Sequence, residues 1–129
     1  MKKVTRDLLK LLPVVFAAAT YSLPAAAGDA AAGKAVYDGK GGCAACHGAT
    51  GAGDGVAAAA FNPKPASFAA GAFRLDTDGD GQVGSDTDLA NAIKNGGGKY
   101  GGNVAMPGRA DLSDTEVANL IAYIRSLKK

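Results

Sequence analysis

Cys43-Ala44-Ala45-Cys46-His47 is the most informative segment of this sequence. It contains the only two cysteines and the only histidine among 129 residues. Two cysteines separated by two residues and followed directly by a histidine match the C-x-x-C-H pattern of covalent haem attachment. Two thiols on one short turn can bond to both vinyl groups on one haem edge, which leaves the next residue beneath the iron. We therefore predict one covalent haem c, held by Cys43 and Cys46, with His47 as the proximal iron ligand.

Three other kinds of site use similar residues, and the sequence disfavours each of them. A structural zinc site normally has four Cys or His ligands, and this chain supplies three at most. A thioredoxin-like dithiol belongs to a βαβ unit, which the Gly- and Ala-rich flanks do not offer. A plain disulfide is compatible with export but restricts the unfolded chain little when the loop is so short.

The sixth position of the iron needs a second ligand, and Met106-Pro107 is the best candidate for it. Met106 is the only methionine after residue 27 and lies in a Gly-rich loop. A neutral thioether favours reduced iron more than a second imidazole does, as suits an electron carrier. The alternative is that Met106 only fills the core. Lys99, Tyr100 and Asn103 share its loop and are the substitutes if the loop geometry differs.

The N-terminus has the features of a secretory signal, which we predict to be cleaved after residue 27. Basic residues come first, an apolar run from Leu11 to Leu23 follows, and Ala25-Ala26-Ala27 resembles a cleavage site. Pro13 interrupts a run that is short of the ~20 residues needed to cross a bilayer, so we expect no stable membrane anchor. Without residues 1–27 the net charge falls from +2 to −1. The remaining Lys and Arg residues do not form a cluster, so we expect no nucleic-acid binding. A periplasmic location is the resulting expectation.

Helical periodicity predicts an all-α domain over residues 28–129, with long Gly- and Pro-rich loops. The pattern indicates helices over residues 30–38, from a cap at Asp86 to about Asn95, and after the capping box Ser113 to Glu116. Six aromatic residues, no tryptophan and many alanines make a weak core, so we expect an apolar cofactor to complete it.

Beyond these residue patterns, the sequence resembles the bacterial class I monohaem cytochromes c over essentially all of residues 28–129. The resemblance rests on Cys43 to His47, Ile93-Lys94-Asn95-Gly96, Met106-Pro107 and the two terminal helices. It implies a cytochrome c fold of three to five helices around one haem, with the first and last helices crossing closely. The matching positions at that crossing are Gly33, Tyr37, Leu120 and Tyr123. It also implies that a proline carbonyl, from Pro63 or Pro65, supports the haem histidine.

The segment from Asp76 to Asp88 is longer and more acidic than such a fold requires. Asp76, Asp78, Asp80 and Gly81 match the first half of an EF-hand calcium loop, but Thr87 occupies the position of the bidentate glutamate. A solvated Asp/Gly turn is the favoured interpretation, and a calcium site is the alternative.

These observations predict a monomeric, non-enzymatic carrier of single electrons between redox protein donors and acceptors. Lys40, Lys64, Lys94 and Lys99 would then either surround an exposed haem edge or simply be solvated. A haem enzyme or gas-binding domain with an open sixth position is an alternative, although His47 leaves no further histidine for acid–base chemistry. A haem subunit of a larger oxidoreductase is the other alternative.

Overall fold

The computed structural model describes residues 28–129, and the predicted signal at residues 1–27 lies outside that range. The α-helices are α1 (Ala30–Asp38), α2 (Ala44–His47), α3 (Asp86–Asn95) and α4 (Asp114–Ser126). Single 3-10 turns occur at Ala58–Ala60 and Gly98–Tyr100. Residues 28–129 contain no β-strand, which confirms the all-α prediction. None of the helices in this range is long and apolar enough to span a bilayer.

Side-chain caps fix where α1 and α4 begin. The Asp29 carboxylate accepts hydrogen bonds from the N–H groups of Ala31 and Ala32, at 2.8 and 3.2 Å. At α4, the Ser113 hydroxyl accepts from the Glu116 N–H, while the Glu116 carboxylate accepts from the Ser113 N–H. These bonds satisfy N–H groups that have no partner inside a helix. Both predicted helix starts are confirmed.

The cap of α3 differs from the prediction that Asp86 provides it. Ser85 is the N-cap, because its hydroxyl accepts from the Asp88 N–H at 3.1 Å and the Asp88 carboxylate accepts from the Ser85 N–H at 2.8 Å. Asp86 instead binds the guanidinium of Arg125 in α4. The prediction was one residue late because Ser85 and Asp86 are both good N-cap residues.

Helices α1 and α4 cross in close contact, as the family resemblance implied. A Cβ atom on Gly33 would lie only 1.9 Å from the carbonyl oxygen of Asn119, so the backbones touch where a larger residue cannot fit. Beside this point, the rings of Tyr37 and Tyr123 meet edge to face with centroids 5.1 Å apart. Tyr37 and Leu120 are completely buried. The crossing is therefore the best-packed part of the core.

The remaining core lies between this crossing and the loops. Buried apolar side chains from α3, α4 and the loops form one cluster with Tyr37, namely Phe68, Leu89, Ile93, Leu112, Val117, Leu120, Ile121, Tyr123 and Ile124. Six of these ten side chains also line a cavity rather than packing only against each other. The expectation that the chain cannot fill its own core agrees with this arrangement.

Candidate haem-binding site

All four predicted haem ligands line one cavity of about 300 Å³. Cys43, Cys46 and His47 come from the segment of α2, and Met106 comes from the loop between α3 and α4. The apolar part of the wall includes Leu89, Ile93, Leu112, Leu120 and Ile124, together with three phenylalanines. A predominantly apolar wall with two thiols, one imidazole and one thioether has the donor set and the polarity that a covalently bound haem requires. The residues present therefore fit the cofactor predicted from the sequence.

His47 is held as a neutral imidazole at the end of α2. It is 9% exposed, and burial lowers its pKa. Its Nδ1 atom lies 3.0 Å from the carbonyl oxygen of Ala66. Because a carbonyl can only accept, this contact puts the ring proton on Nδ1 and leaves the lone pair of Nε2 free for a metal. A backbone carbonyl in this position is the usual support for a metal-binding histidine.

The carbonyl that supports His47 belongs to neither of the two prolines considered from the sequence. It belongs to Ala66, the residue directly after Pro65. The Pro63 carbonyl instead accepts a long hydrogen bond, 3.4 Å, from the side-chain amide of Asn103. Every residue in the loop has a carbonyl, so only the path of the backbone decides which one reaches the imidazole.

Cys43 and Cys46 do not form a disulfide with each other, and both are partly exposed. The carbonyl of Cys43 accepts from the N–H groups of Cys46 and His47, so the motif is wound into one helical turn. Burial raises the pKa of the Cys43 thiol to about 11. A reactive dithiol needs the opposite shift, because the thiolate is its nucleophile. A thioether carries no charge, so the same burial is compatible with haem attachment.

Tyr37 connects the helix crossing to the end of the attachment motif. Its hydroxyl donates a hydrogen bond of 2.7 Å to the carbonyl of Gly48, the residue after His47. Burial raises the pKa of this phenol above its ordinary value, so the hydroxyl keeps its proton. The sequence predicted Tyr37 as a packing residue, but it did not predict this hydrogen bond.

Met106 is positioned by backbone hydrogen bonds and by small neighbours. Its N–H donates to the carbonyl of Asn103 at 3.1 Å, and its carbonyl accepts from the N–H of Gly97 at 3.2 Å. A Cβ atom on Gly97 would lie 3.4 Å from the Met106 sulfur, and one on Gly96 would lie 2.8 Å from the Met106 carbonyl oxygen. The Gly-rich flank therefore makes room for this loop. Met106 is partly exposed, so it is not an ordinary core residue.

Arg109 is a residue of the site that sequence reasoning missed. Its Nη1 donates to the carbonyl of Gly41, close to Cys43, at 2.7 Å. Its Nε and Nη2 both lie 2.9 Å from the Asp111 carboxylate. Arg109 also lines the cavity, so it joins the methionine loop to the segment that carries the cysteines. The spacing Arg-x-Asp was the only signal in the sequence.

The four lysines considered as a ring have different surroundings. Only Lys64 borders the cavity. Lys40 pairs with Glu116 at 3.0 Å and Lys94 pairs with Asp114. Lys99 lies over the ring of Tyr100, 5.7 Å from its centroid. Three of the four therefore lie outside the cavity lining, which favours the alternative that these lysines are ordinary surface residues over a ring at the haem edge.

Two of the three substitutes considered for Met106 lie away from the cavity. Asn103 lines it, whereas Lys99 and Tyr100 are not among the lining residues. The Tyr100 hydroxyl accepts a hydrogen bond from the amide of Asn95 at 2.8 Å. Met106 is thus the residue of this loop with both the chemistry and the position for the sixth ligand.

The acidic loop brings together Asp76, Asp78 and Asp80, whose carboxylates each offer an oxygen within 4.8 Å of the others. These carboxylates also accept hydrogen bonds from the loop's own backbone. Asp76 accepts from the N–H groups of Gly79 and Gly81 at 2.8 and 3.0 Å. Asp78 accepts from the Asp80 N–H at 3.2 Å. Such bonds are typical of Asx turns.

Comparison with known proteins agrees with this geometry. The chain is 38% identical over 102 residues to cytochrome c-554(547) of Halothiobacillus neapolitanus, covering 79% of this chain and all of that protein. It is also similar to a chain in the structure of a Kuenenia stuttgartiensis reducing HAO-like protein complex, with 28% identity and a TM-score of 0.64. That match covers 82% of this chain and 46% of the other, so this chain spans less than half of that chain's length. The cytochrome c family model matches residues 30–128, and the chain belongs to the cytochrome c family.

Proposed function

We propose that this protein carries single electrons in the periplasm on one covalent haem c, with His47 and Met106 as axial ligands. The observation that carries the proposal is the grouping of Cys43, Cys46, His47 and Met106 around one apolar cavity. Family membership implies haem c, and the name of the Halothiobacillus relative is that of a cytochrome. Redox proteins are the expected partners.

The side chains have separate tasks in this proposal. The bound haem supplies a one-electron couple. Cys43 and Cys46 retain it covalently, and the hydrogen bond from His47 to Ala66 fixes which ring nitrogen faces the metal. Met106 closes the sixth position, and the apolar wall limits the access of water. A closed site favours outer-sphere electron transfer over chemistry on a bound substrate.

Two alternatives lead to different experiments. The Kuenenia neighbour belongs to a complex of proteins, which favours testing whether this chain is a haem subunit of a larger oxidoreductase. Purification without a tag from the native cell distinguishes a free monomer from a subunit. The other alternative, a haem enzyme or gas-binding domain, requires the sixth position to open.

Covalent haem is tested on the denatured protein. Peroxidase-based haem staining should label the wild-type chain after denaturation and should not label a Cys43→Ala/Cys46→Ala variant. An unstained wild-type chain, expressed with a haem-attachment system, would contradict the proposal at its first step.

Axial ligation is tested by spectroscopy. The oxidised wild-type protein should be low-spin with a sulfur-to-iron charge-transfer band, and the reduced protein should not bind carbon monoxide. Met106→Ala should lose the band and gain carbon monoxide binding. Asn103→Ala is the matched control, because it changes a neighbouring cavity residue and leaves the sulfur in place. Rapid carbon monoxide binding by the wild type would favour the open-site alternative.

Location is tested by cell fractionation. The mature chain should be recovered in the periplasmic fraction and should begin near Gly28. Its net charge would then be −1. Recovery of a full-length chain in the cytoplasm would contradict this part of the proposal.

For the acidic loop, we propose a turn stabilised by its own hydrogen bonds. The bonds within the loop support this interpretation, as does Thr87 at the position where an EF-hand has glutamate. Calcium binding by Asp76, Asp78 and Asp80 is the alternative.

A further inference from the structure

Asp88 is a buried carboxylate to which the proposed function assigns no role. It lies in the first turn of α3, is 1% exposed and lines the same cavity as His47 and Met106. With Tyr37 and Leu120 it is one of the three largest side chains of residues 28–129 that are less than 2% exposed. Charged side chains are almost never buried this completely unless they are paired.

The partners of Asp88 are neutral groups. One carboxylate oxygen accepts from the N–H and hydroxyl of Thr77 at 2.5 and 2.9 Å, and the other accepts from the N–H and hydroxyl of Ser85 at 2.8 and 2.9 Å. Asn91 donates to the Thr77 hydroxyl at 2.9 Å and so orients it. Within residues 28–129, no Lys or Arg forms an ion pair with this carboxylate.

Four hydrogen bonds keep the group charged. The hydrogen bonds from Thr77, and next those from Ser85, hold the pKa of the Asp88 carboxyl far below its usual range, although burial acts to raise it. Asp88 also lies at the N-terminus of α3, where the helix dipole favours a negative charge. The carboxylate is therefore ionised throughout the neutral range. Solvent and salt screen a buried charge much less than a surface charge.

We propose that Asp88 is an electrostatic determinant of the redox potential of this site, and that its carboxylate favours the oxidised form. The inference rests on the proposed function. Oxidised haem carries one more positive charge than reduced haem, so a fixed negative charge in the cavity wall makes uptake of an electron less favourable. Net charge and hydrogen bonding near the metal are known determinants of potential.

The test is a potentiometric titration of the haem-loaded protein with soluble mediators. Asp88→Asn should raise the midpoint potential, with about a tenfold increase in the ratio of reduced to oxidised protein at a fixed potential, which is about 59 mV for one electron. Asp86→Asn is the matched control, since it removes the same charge two residues away from a side chain that is 73% exposed. Its ratio should change less than twofold.

The sign of the shift separates an electrostatic role from a purely structural one. If Asp88 were only part of the helix cap, its loss would loosen α3 and admit water, which stabilises the more highly charged oxidised form and lowers the potential. A lower or unchanged potential for Asp88→Asn would overturn the inference. A shift as large in Asp86→Asn would overturn it too, because burial would then not matter.

A second variant decides the matter if Asp88→Asn does not fold. Thr77→Val removes the hydroxyl donor but keeps the size of the side chain and the carboxylate, so the negative charge is less compensated without opening space for water, and the potential should fall. An unchanged or raised potential in Thr77→Val would overturn the inference. A wild-type chain without covalent haem would instead contradict the proposed function itself.

Discussion

The crossing of α1 and α4 and the loops around the cavity are built in different ways. At the crossing, two helices touch through Gly33, and buried aromatic rings surround the contact. In the loops, single hydrogen bonds to backbone carbonyls hold the functional side chains, as at Ala66 and Gly41. The crossing therefore contributes mainly to the stability of the fold, whereas the loops set the positions of the side chains around the cavity.

The largest difference in stability between the two regions is expected when one glycine in each is replaced by alanine. Gly33→Ala places a methyl group 1.9 Å from a backbone oxygen, so the helices must separate at a cost of about 3 kcal/mol. Gly101→Ala, in the methionine loop, meets open space but has φ of +79°, which costs about 1 kcal/mol. Urea unfolding of both haem-loaded variants measures the two costs. If Gly33→Ala stabilised the protein, the close contact between α1 and α4 at Gly33 would be contradicted.

A smaller difference in stability is expected when one tyrosine hydroxyl is removed from each region. Tyr37→Phe leaves the Gly48 carbonyl without its buried partner, which should cost about 1 kcal/mol. Tyr100→Phe removes a hydroxyl that only accepts from Asn95 near the surface, and should cost less than about 0.5 kcal/mol. Thermal unfolding at one pH compares them. Equal costs would mean that the crossing and the loop are equally packed.

The Arg109–Asp111 pair makes the stability of the loop region depend on pH. The Arg109 guanidinium lowers the pKa of the Asp111 carboxyl from 3.8 to about 2. Because the folded pKa is the lower one, this stabilisation is present above pH ~4 and is lost as pH falls through about 2. Asp111→Asn should therefore lower the melting temperature slightly at pH 7 and by less at pH 2, where the folded carboxyl is about half protonated. A difference as large at pH 2 as at pH 7 would assign it to packing instead of charge.

The smallest effect is expected in the acidic loop. If the turn depends on its own hydrogen bonds, adding calcium or a chelator should leave the melting temperature of the haem-loaded protein unchanged. Asp78→Asn is the control, because it removes one of the three clustered carboxylates and retains a side-chain acceptor. Stabilisation by calcium that disappears in Asp78→Asn would establish the alternative.

The sequence predicts the helices well because their ends are marked by side chains. Asp29 and Ser113 cap N–H groups only two or three residues further along the chain, so a local sequence pattern is enough to locate the helix starts. The close approach at Gly33 was also expected, because the family resemblance implies that the first and last helices cross there.

The supports of the site were harder to predict, because they join residues far apart through groups that the sequence does not distinguish. The Ala66 carbonyl is one of many carbonyls, and the Arg109 contact with Gly41 spans 68 positions. Asp88 looked like one more acidic residue after an acidic loop. Its burial between Thr77 and Ser85 follows only from how that loop folds back on α3.

The helix crossing has a consequence for the order of events when the protein is made. The N–H of Asp29 bonds to the side chain of Asn119, ninety positions later, and Gly33 touches the same residue. Because synthesis runs from the N-terminus to the C-terminus, helix α1 leaves the ribosome long before α4 exists. Until α4 emerges, the segment with Cys43 and Cys46 has no completed core over it. The unfinished chain thus exposes both thiols more fully than the finished fold, in which each is only partly exposed.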